Sequence, residues 1–366
     1  MVDEGLSCTL PADERAQVAG NHVRFRPVEK HASEKAVFVD QERGRDVIDE
    51  VILVIRTGRL VGAILAQNDV LKHQAKLRPK PPQAVSVAGH SNFFEMLNLD
   101  LPEFDITDSD NVYRTITGAQ PDLVINAAAY TAVDRGESEP ELAFAVNRNG
   151  PLNLALTCSE LGIPLIHIST DYVFDGTKKG KYIESDQTAP LSVYGKSKDE
   201  GEKAVRLNLR KHIILRTSWL YGLHGYNFVK TIIRLGRERE VLRVVADQWG
   251  CPTSAHNLAQ AITKIARQIR DGQKISWGTY HFCGAGSTTW HGFAEAICLF
   301  ANKFITMRVK KIEAITTAEY PTPARRPANS VLDCYLITRT FGIEPTAWSE
   351  SLAFTVKLLL TEQHEN

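Results

Sequence analysis

The sequence predicts an α/β fold, a doubly wound parallel sheet followed by a smaller C-terminal α/β domain. From residue 51 to residue 219, short apolar runs alternate with stretches of helical periodicity, the pattern of consecutive strand–helix–strand units. The runs VILVI, DLVIN, LIHI and HIILR are apolar over most of their length. Strands that are apolar on both faces are typical of a sheet covered by helices on both sides.

Composition and charge argue against several kinds of partner. The 366 residues include 43 Lys+Arg and 43 Asp+Glu, so the formal charge is zero, and neither nucleic acid nor membrane is expected as a partner. Six scattered cysteines without a C-x-x-C pair are expected to be free thiols of a cytosolic protein. No apolar run is long enough for a bilayer, and the first residues lack a signal-peptide core, so we expect a cytoplasmic protein.

A glycine-containing turn follows the first strand. Backbone N–H groups at the start of a helix bind phosphate, and glycines allow close approach. The segment 56–62 therefore predicts the pyrophosphate loop of a dinucleotide, with contacts from Thr57, Gly58, Arg59, Leu60 and Gly62. We expect a poorly ordered extension at 1–49, a dinucleotide-binding domain at 50–219, and a mainly substrate-binding, discontinuous domain at 220–366.

Two further groups of residues point to the cofactor. Asp100 follows the predicted second strand, 93–99, where an acidic side chain bonds a ribose 2′-OH and favours NADH, whereas a 2′-phosphate would favour Arg. The alternative is an aspartate that only caps a turn. Ala127, Ala128 and Ala129 follow another strand, where small side chains let a flat cofactor lie against the backbone. Ordinary packing is the alternative for these alanines.

The stretch 165–198 carries the candidate catalytic residues. Its strand ends in Thr170 and Asp171, and ligands of open α/β sheets bind beyond the carboxyl ends of strands. Tyr194 and Lys198 are four residues apart, so they share one face of a helix. An ammonium beside a phenol favours the phenolate, which predicts a lowered pKa for Tyr194 and a role as acid and base.

A second Tyr-x-x-x-Lys sequence, Tyr226 to Lys230, has no Ser/Thr-bearing strand end at a suitable distance upstream. We interpret it as an ordinary surface tyrosine and a solvated lysine. Near the C-terminus, Arg325 and Arg326 stand in a Pro-rich segment. Paired guanidinium groups suit a diphosphate, and a solvated pair is the alternative.

Longer strings carry a family resemblance. STDYVFDG, PLSVYGKSK and RTSWLYG, followed in order by NFVKT, DQWGCPTSA and PTPARRPANSVLD, resemble the dTDP-4-dehydrorhamnose reductases, which are extended short-chain dehydrogenase/reductases. The resemblance covers the chain from about Val51 onward. It implies a Rossmann-type fold and the NADPH- or NADH-dependent reduction of dTDP-4-dehydro-L-rhamnose to dTDP-L-rhamnose. This is the last step of dTDP-rhamnose biosynthesis, which serves lipopolysaccharide biosynthesis.

The resemblance also implies roles for single residues. Tyr194 would donate a proton to the 4-keto oxygen, Lys198 would lower the pKa of Tyr194 and hold the nicotinamide ribose, and Thr170 would align the carbonyl. It places Asp105 and Ile106 beside the adenosine, and Asp171 and Trp219 beside the nucleotide-sugar. Without the resemblance, a lone tryptophan after a strand is more often a core residue.

The glycine-rich loop departs from the family pattern. Ile55 stands at the first glycine, Arg59 replaces a glutamine, and Gly62 comes one residue late. Because isoleucine cannot adopt glycine's backbone angles cheaply, weaker cofactor binding is expected. Two alternatives stay open: a catalytically impaired, nucleotide-binding regulatory homologue, and another nucleotide-sugar epimerase or dehydratase. Asp171 alone is a poor substitute for the paired acids of a dehydratase.

Three properties are left open by these patterns. They do not distinguish NADH from NADPH, and they do not decide whether the chain forms a homodimer. Some relatives bridge subunits with Mg²⁺ through glutamates, and no residue of this chain is assigned to a metal.

Overall fold

The computed structural model describes residues 51–55, 85–86 and 95–361, with 51–55, 85–86 and 95–96 described by their backbone alone. The strands are β1 (Val51–Ile55), β2 (Val85–Ser86), β3 (Glu95–Leu99), β4 (Leu123–Asn126), β5 (Leu165–Thr170), β6 (His212–Thr217), β7 (Leu220–Tyr221), β8 (Val241–Val245), β9 (Trp249–Gly250), β10 (Thr253–Ser254), β11 (Gly278–His281), β12 (Thr288–Thr289) and β13 (Lys311–Ile315). The α-helices are α1 (Ser109–Ala119), α2 (Val133–Gly136), α3 (Pro140–Phe144), α4 (Gly150–Leu161), α5 (Val193–Asn208), α6 (Phe228–Glu238), α7 (Ala255–Arg270), α8 (Trp290–Ala301), α9 (Tyr335–Phe341) and α10 (Trp348–Thr361).

Seven strands form the main sheet in the order β11-β6-β5-β4-β1-β3-β2. All neighbours pair in parallel except β2, which is antiparallel to β3. The chain runs outward from β1 through β3 on one side and through β4, β5, β6 and β11 on the other. The order therefore reverses between β1 and β4, and in open α/β sheets ligands bind at such a reversal, beyond the carboxyl ends of the strands.

Helices cover both faces of this sheet. On one face α1, α4 and α5 pack through Val112, Leu154 and Val205 against sheet residues such as Val124. On the other face α7 and α9 bury apolar residues against β4, β5, β6 and β11. The two-sided cover explains why the sheet strands are almost continuously apolar. The predicted doubly wound, Rossmann-type α/β fold is confirmed.

A third apolar core lies in the C-terminal part of the chain. Helices α6, α8 and α10 pack together with β8, and β8 pairs in parallel with β13. Between these elements the chain returns to the main sheet through α7, β11 and α9. The described residues belong to one compact unit. After residue 220 the chain therefore contributes both to the main sheet and to the C-terminal core. The domain boundary near residue 220 stays a prediction.

Side-chain hydrogen bonds accompany two local features of the helices. The helix that begins at Pro140 passes through a π-helical turn, Ala145–Asn149, before α4. In this turn the Asn147 side chain bonds the backbone of Tyr130 and the Ser197 hydroxyl. The N-cap of α8 is Thr289, whose hydroxyl accepts the Gly292 N–H.

The described residues include Ile55, which precedes the predicted phosphate loop. Ile55 ends β1 and pairs with Leu99 and Asn126, so its backbone is that of a strand, which β-branched residues favour. The expected backbone strain at Ile55 is therefore wrong. Thr57, Gly58, Arg59, Leu60 and Gly62 lie outside the described residues, as do residues 1–49. Within the described part, no helix has the length and apolar character needed to cross a membrane.

Candidate functional site

Helix α5 carries Tyr194 and Lys198 on one face, as their spacing predicts. The helix begins after Ser192, whose hydroxyl caps it by accepting the Gly195 N–H at 3.1 Å. Gly195 packs against the Tyr172 carbonyl so closely that any Cβ would collide with it. The cap and this glycine hold the first turn of α5 against the carboxyl end of β5.

A cavity of about 390 Å³ lies at this edge of the sheet. Its lining includes Ala127, Ala129, Thr131, Val133, Ile168, Ser169, Thr170, Asp171, Tyr172, Tyr194, Lys198, Thr217, Ser218, Trp219, Leu220 and Trp290. The predicted Thr170, Tyr194 and Lys198 therefore meet in one cavity, together with the predicted Asp171 and Trp219. The cavity lies beyond β4, β5 and β6, on the side where the strand order reverses.

The phenol of Tyr194 is held in its protonated form. Burial raises the pKa of Tyr194 to about 12, and the Thr170 side chain offsets only part of that rise. The predicted net lowering is wrong, because burial makes the largest contribution to this pKa. The Lys198 Nζ donates to the Ile168 carbonyl oxygen at 2.7 Å. At neutral pH the Tyr194 phenol is consequently protonated.

Lys198 is almost fully buried, with 1% of its surface exposed. Burial lowers the pKa of Lys198 to about 8, although the carboxylate of Glu202 opposes this effect. Its Nζ also lies 3.5 Å from Nε2 of His167, and Nδ1 of that imidazole lies 3.1 Å from the amide nitrogen of Asn126. Lys198 therefore has an ammonium that can lose its proton near physiological pH.

Tyr194, Lys198 and Glu202 form one stripe along α5, because they are spaced four residues apart. The Glu202 carboxylate accepts hydrogen bonds from Ser169 at 2.5 Å, from Arg216 at 2.7 Å and from Arg206 at 2.8 Å. Burial raises the pKa of Glu202, but these partners together outweigh burial and lower the pKa to about 2. Among the lowering contributions the charge of Arg216 is the largest. The ion pair ties α5 to the carboxyl ends of β5 and β6, directly beneath the cavity.

Thr170 and Asp171 join the strand end to the cavity. The Thr170 hydroxyl donates to Oδ1 of Asp171 at 3.0 Å and accepts the Tyr172 N–H at 3.2 Å. Burial raises the pKa of Asp171 to about 7, and the hydrogen bond from Thr170 opposes only part of that rise. The Thr170 hydroxyl thus stands between a carboxyl group and the phenol of Tyr194.

Trp219 forms the opposite wall. It adopts a left-handed backbone with φ of +46°, uncommon for a non-glycine residue. Its ring stacks on Trp290 at a centroid distance of 3.6 Å with an interplanar angle of 7°. Gly250 lies against the Trp219 ring, where any side chain would collide. Trp219 is therefore a half-buried wall of the cavity and not an ordinary core residue.

The two neighbouring arginines have different surroundings. Arg325 is exposed, whereas Arg326 forms two hydrogen bonds with the Asp134 carboxylate, at 3.1 and 2.8 Å. Arg326 also lines a second cavity, of about 370 Å³, together with Phe228, Arg243, Trp290 and Tyr320. The structure therefore brings Arg326, but not Arg325, to a cavity, and Trp290 lines both cavities.

The residues predicted for the cofactor have different surroundings too. Ala127 and Ala129 line the first cavity, whereas Ala128 and Ile106 are buried in the core. The Asp100 carboxylate accepts the Leu101 N–H, which is the turn-capping alternative, and Asp105 accepts the N–H and hydroxyl of Thr107. The small residues at the end of β4 leave room for a flat ring beside Lys198, so the described residues fit a nicotinamide cofactor.

Sequence reasoning missed three residues of this site. Glu202 stands four residues after Lys198, so extending the helical stripe by one turn would have found it. Trp290 begins α8, and no spacing signals its contact with Trp219. Asp134 faces Arg326 across a long separation in sequence, which no local pattern reveals.

Comparisons with known proteins agree with this geometry. The chain matches the family model described as RmlD substrate binding domain over residues 83–360. It is 49% identical over 269 residues to the dTDP-4-dehydrorhamnose reductase of Sinorhizobium fredii, covering 73% of this chain and 90% of that protein.

Solved structures give the same result. A dTDP-4-dehydrorhamnose reductase of Clostridium acetobutylicum is similar with a TM-score of 0.72 and 36% identity, covering 84% of this chain and 99% of that one. The enzyme of the same name from Bacillus anthracis, solved in complex with NADP, is similar with a TM-score of 0.72 and 34% identity, covering 84% of this chain and 98% of that one. The chain therefore belongs to the dTDP-4-dehydrorhamnose reductase family.

Proposed function

We propose that the chain reduces the 4-keto group of dTDP-4-dehydro-L-rhamnose with NADPH or NADH, giving dTDP-L-rhamnose. The observation that carries the proposal is the meeting of Thr170, Tyr194 and Lys198 in one cavity. Family membership supports the substrate. A bound reduced nicotinamide would supply the hydride.

In the proposed reaction Tyr194 donates its proton to the 4-keto oxygen as negative charge develops there. Its raised pKa keeps the phenol protonated at neutral pH, as a reductase requires. When substrate binds, the Thr170 hydroxyl turns its proton from Oδ1 of Asp171 to the same keto oxygen and orients the carbonyl. The Lys198 ammonium binds the nicotinamide ribose and stabilises the phenolate that remains after proton transfer.

The second cavity suits the nucleotide half of the substrate. Phe228, Trp290 and Tyr320 offer aromatic faces for a base, and Arg243 and Arg326 offer guanidinium groups for a diphosphate. Trp290 joins the two cavities, and α6 and β8 supply much of the second one. This supports the substrate-binding role proposed for the C-terminal packing.

The test mixes the purified chain with dTDP-4-dehydro-L-rhamnose and each reduced cofactor and follows the nicotinamide absorbance. Stoichiometric cofactor oxidation with formation of dTDP-L-rhamnose is expected. An epimerase or dehydratase would instead convert its sugar without net consumption of cofactor. Background turnover with both cofactors, from a chain that circular dichroism shows to be folded, would favour a regulatory homologue. Light scattering of the same preparation tests whether the chain forms a homodimer.

A further inference from the structure

Three cysteines far apart in sequence meet near the catalytic edge of the sheet. Cys283 follows β11, Cys334 precedes α9, and Cys251 follows β9. The sulfur atoms of Cys283 and Cys334 lie 3.5 Å apart, which is van der Waals contact, and the Cys283 N–H donates to Sγ of Cys334 at 3.3 Å. Cys251 belongs to the same buried cluster as Cys283, whose thiol also donates to the Leu332 carbonyl oxygen at 3.9 Å.

The three thiols differ in how easily a reagent reaches them. Cys251 and Cys283 are buried among apolar side chains, including Phe174, whereas Cys334 is half-buried. A small oxidant therefore meets Cys334 first, with Cys283 already in contact behind it. The proposed reaction uses none of these thiols.

We propose that Cys283 and Cys334 are an oxidisable pair, which a hydroperoxide converts into an intramolecular disulfide. The Cys334 sulfur attacks the peroxide oxygen, forming a sulfenic acid and releasing water or an alcohol. The Cys283 sulfur then attacks the Cys334 sulfur, the S–O bond breaks, and water leaves with the thiol proton. Two thiols lose two electrons, and the peroxide gains them. The sulfur atoms approach from 3.5 Å to a bond length of about 2.0 Å.

The bond would fasten the segment 326–333 beside the residues that follow β5. This segment reaches from Arg326, which binds Asp134, to Asp333, whose N–H donates to the Tyr182 carbonyl, and its Leu332 packs with Phe174. Cys334 comes directly after this segment, and Cys283 comes two residues after the end of β11. The disulfide would thus tie the segment to the main sheet, and neither cysteine lines the first cavity.

The remaining described cysteines provide a control within the same chain. Cys158 and Cys298 are buried in separate helical cores, and burial raises the pKa of each thiol, to about 12 and about 11. Neither has another cysteine among its hydrogen-bond partners in the described residues. They should stay reduced at peroxide doses that oxidise the pair.

The experiment treats the folded full chain with hydrogen peroxide, alkylates the remaining thiols, and maps non-reduced peptides by mass spectrometry. The expected result is a Cys283–Cys334 peptide within one chain, reversed by dithiothreitol. Cys334→Ser should leave Cys283 reduced at the same dose, whereas the matched Cys298→Ser variant should form the bond as the unchanged chain does. Cys334→Ala replaces the first variant if that one fails to fold.

Three results would overturn the proposal. The first is a folded chain whose Cys283 and Cys334 stay reduced while peroxide oxidises methionine. The second is a bond between Cys251 and Cys283, and the third is a disulfide that joins two chains. The mapping of the unchanged protein decides among these outcomes even if no variant folds.

Discussion

The chain contains the Tyr-x-x-x-Lys pattern twice, and the two copies end in opposite environments. Tyr194 is half-buried at the cavity, whereas Tyr226 is fully exposed, at 100% of its surface. Lys198 is buried beside the catalytic strand, whereas Lys230 donates to the nearby Gly225 carbonyl. The two copies of the same local pattern therefore have different chemistry, because the residues around them differ.

The position of the helix cap explains much of this difference. Ser192 caps α5 two residues before Tyr194, so Tyr194 and Lys198 both lie on the helix. Asn227 caps α6 one residue after Tyr226, so that tyrosine lies outside the helix and cannot share a helical face with Lys230. The next residue of each stripe differs too: Glu202 is buried against Arg216, whereas Arg234 pairs with Glu238 at the surface.

Replacing each tyrosine gives the largest contrast. Tyr194→Phe should lower kcat by about 10²–10⁴-fold, because it removes the proton donor while keeping the ring. Tyr226→Phe should leave kcat within a few-fold of the unchanged enzyme. Steady-state kinetics with saturating cofactor measures both. A Tyr194→Phe enzyme with nearly normal kcat would assign proton donation to another group.

The buried ion pair of Glu202 with Arg216 and the exposed pair of Arg234 with Glu238 give the next contrast. Glu202→Gln should destabilise the fold by about 3–5 kcal/mol, because Arg216 keeps its buried charge without an anion. Glu238→Gln, in the exposed pair with Arg234, should cost at most about 1 kcal/mol. Urea unfolding at pH 7 measures both differences.

The pH dependence of that stability has a definite sign. The pKa of Glu202 is lowered to about 2 in the folded chain, so its contribution is present above the usual glutamate pKa and is lost as pH falls towards 2. The loss of stability below pH 4 should therefore be smaller in Glu202→Gln than in the unchanged chain. Parallel acid-induced losses in the two proteins would contradict this role.

The two lysines predict different pH profiles. Because burial lowers the pKa of Lys198 to about 8, its ammonium is present below that pH and disappears above it. The value of kcat/KM should then fall above about pH 8, since this parameter reports groups of the free enzyme. Lys198→Met should lose that basic limb together with most of its activity, whereas Lys230→Met should keep it. If the Lys198→Met enzyme kept the basic limb of its pH profile, that limb would report the titration of another group.

The caps give the smallest expected effect. Ser192→Ala and Asn227→Ala should each cost about 1 kcal/mol, because each removes one bond to a helix N–H. Only Ser192→Ala should also lower kcat, by a few-fold, because it loosens the turn that positions Tyr194. Thermal unfolding and kinetics on the same preparations separate the two effects. Equal losses of kcat in both variants would contradict the positioning role of Ser192.

Local patterns predicted those parts of the molecule that depend on neighbours in sequence. The alternation of apolar strands and helices determined the doubly wound sheet, and the four-residue spacing of Tyr194 and Lys198 determined their common helical face. Local chemistry also located strand ends such as Thr170. These features follow from periodicity and from the apolar character of strands covered on both sides.

Only the tertiary structure decided the electrostatics of the site and the contacts between distant segments. The pKa of Tyr194 rises because the phenol is buried, and no spacing along the chain reveals that burial. The stacking of Trp219 on Trp290, the pairing of Arg326 with Asp134 and the contact of Cys283 with Cys334 join segments far apart in sequence. By itself the sequence determined which residues share a helix or a strand end. Their partners were decided by the packing of the sheet against the C-terminal segments, because burial and charge act through space rather than along the chain.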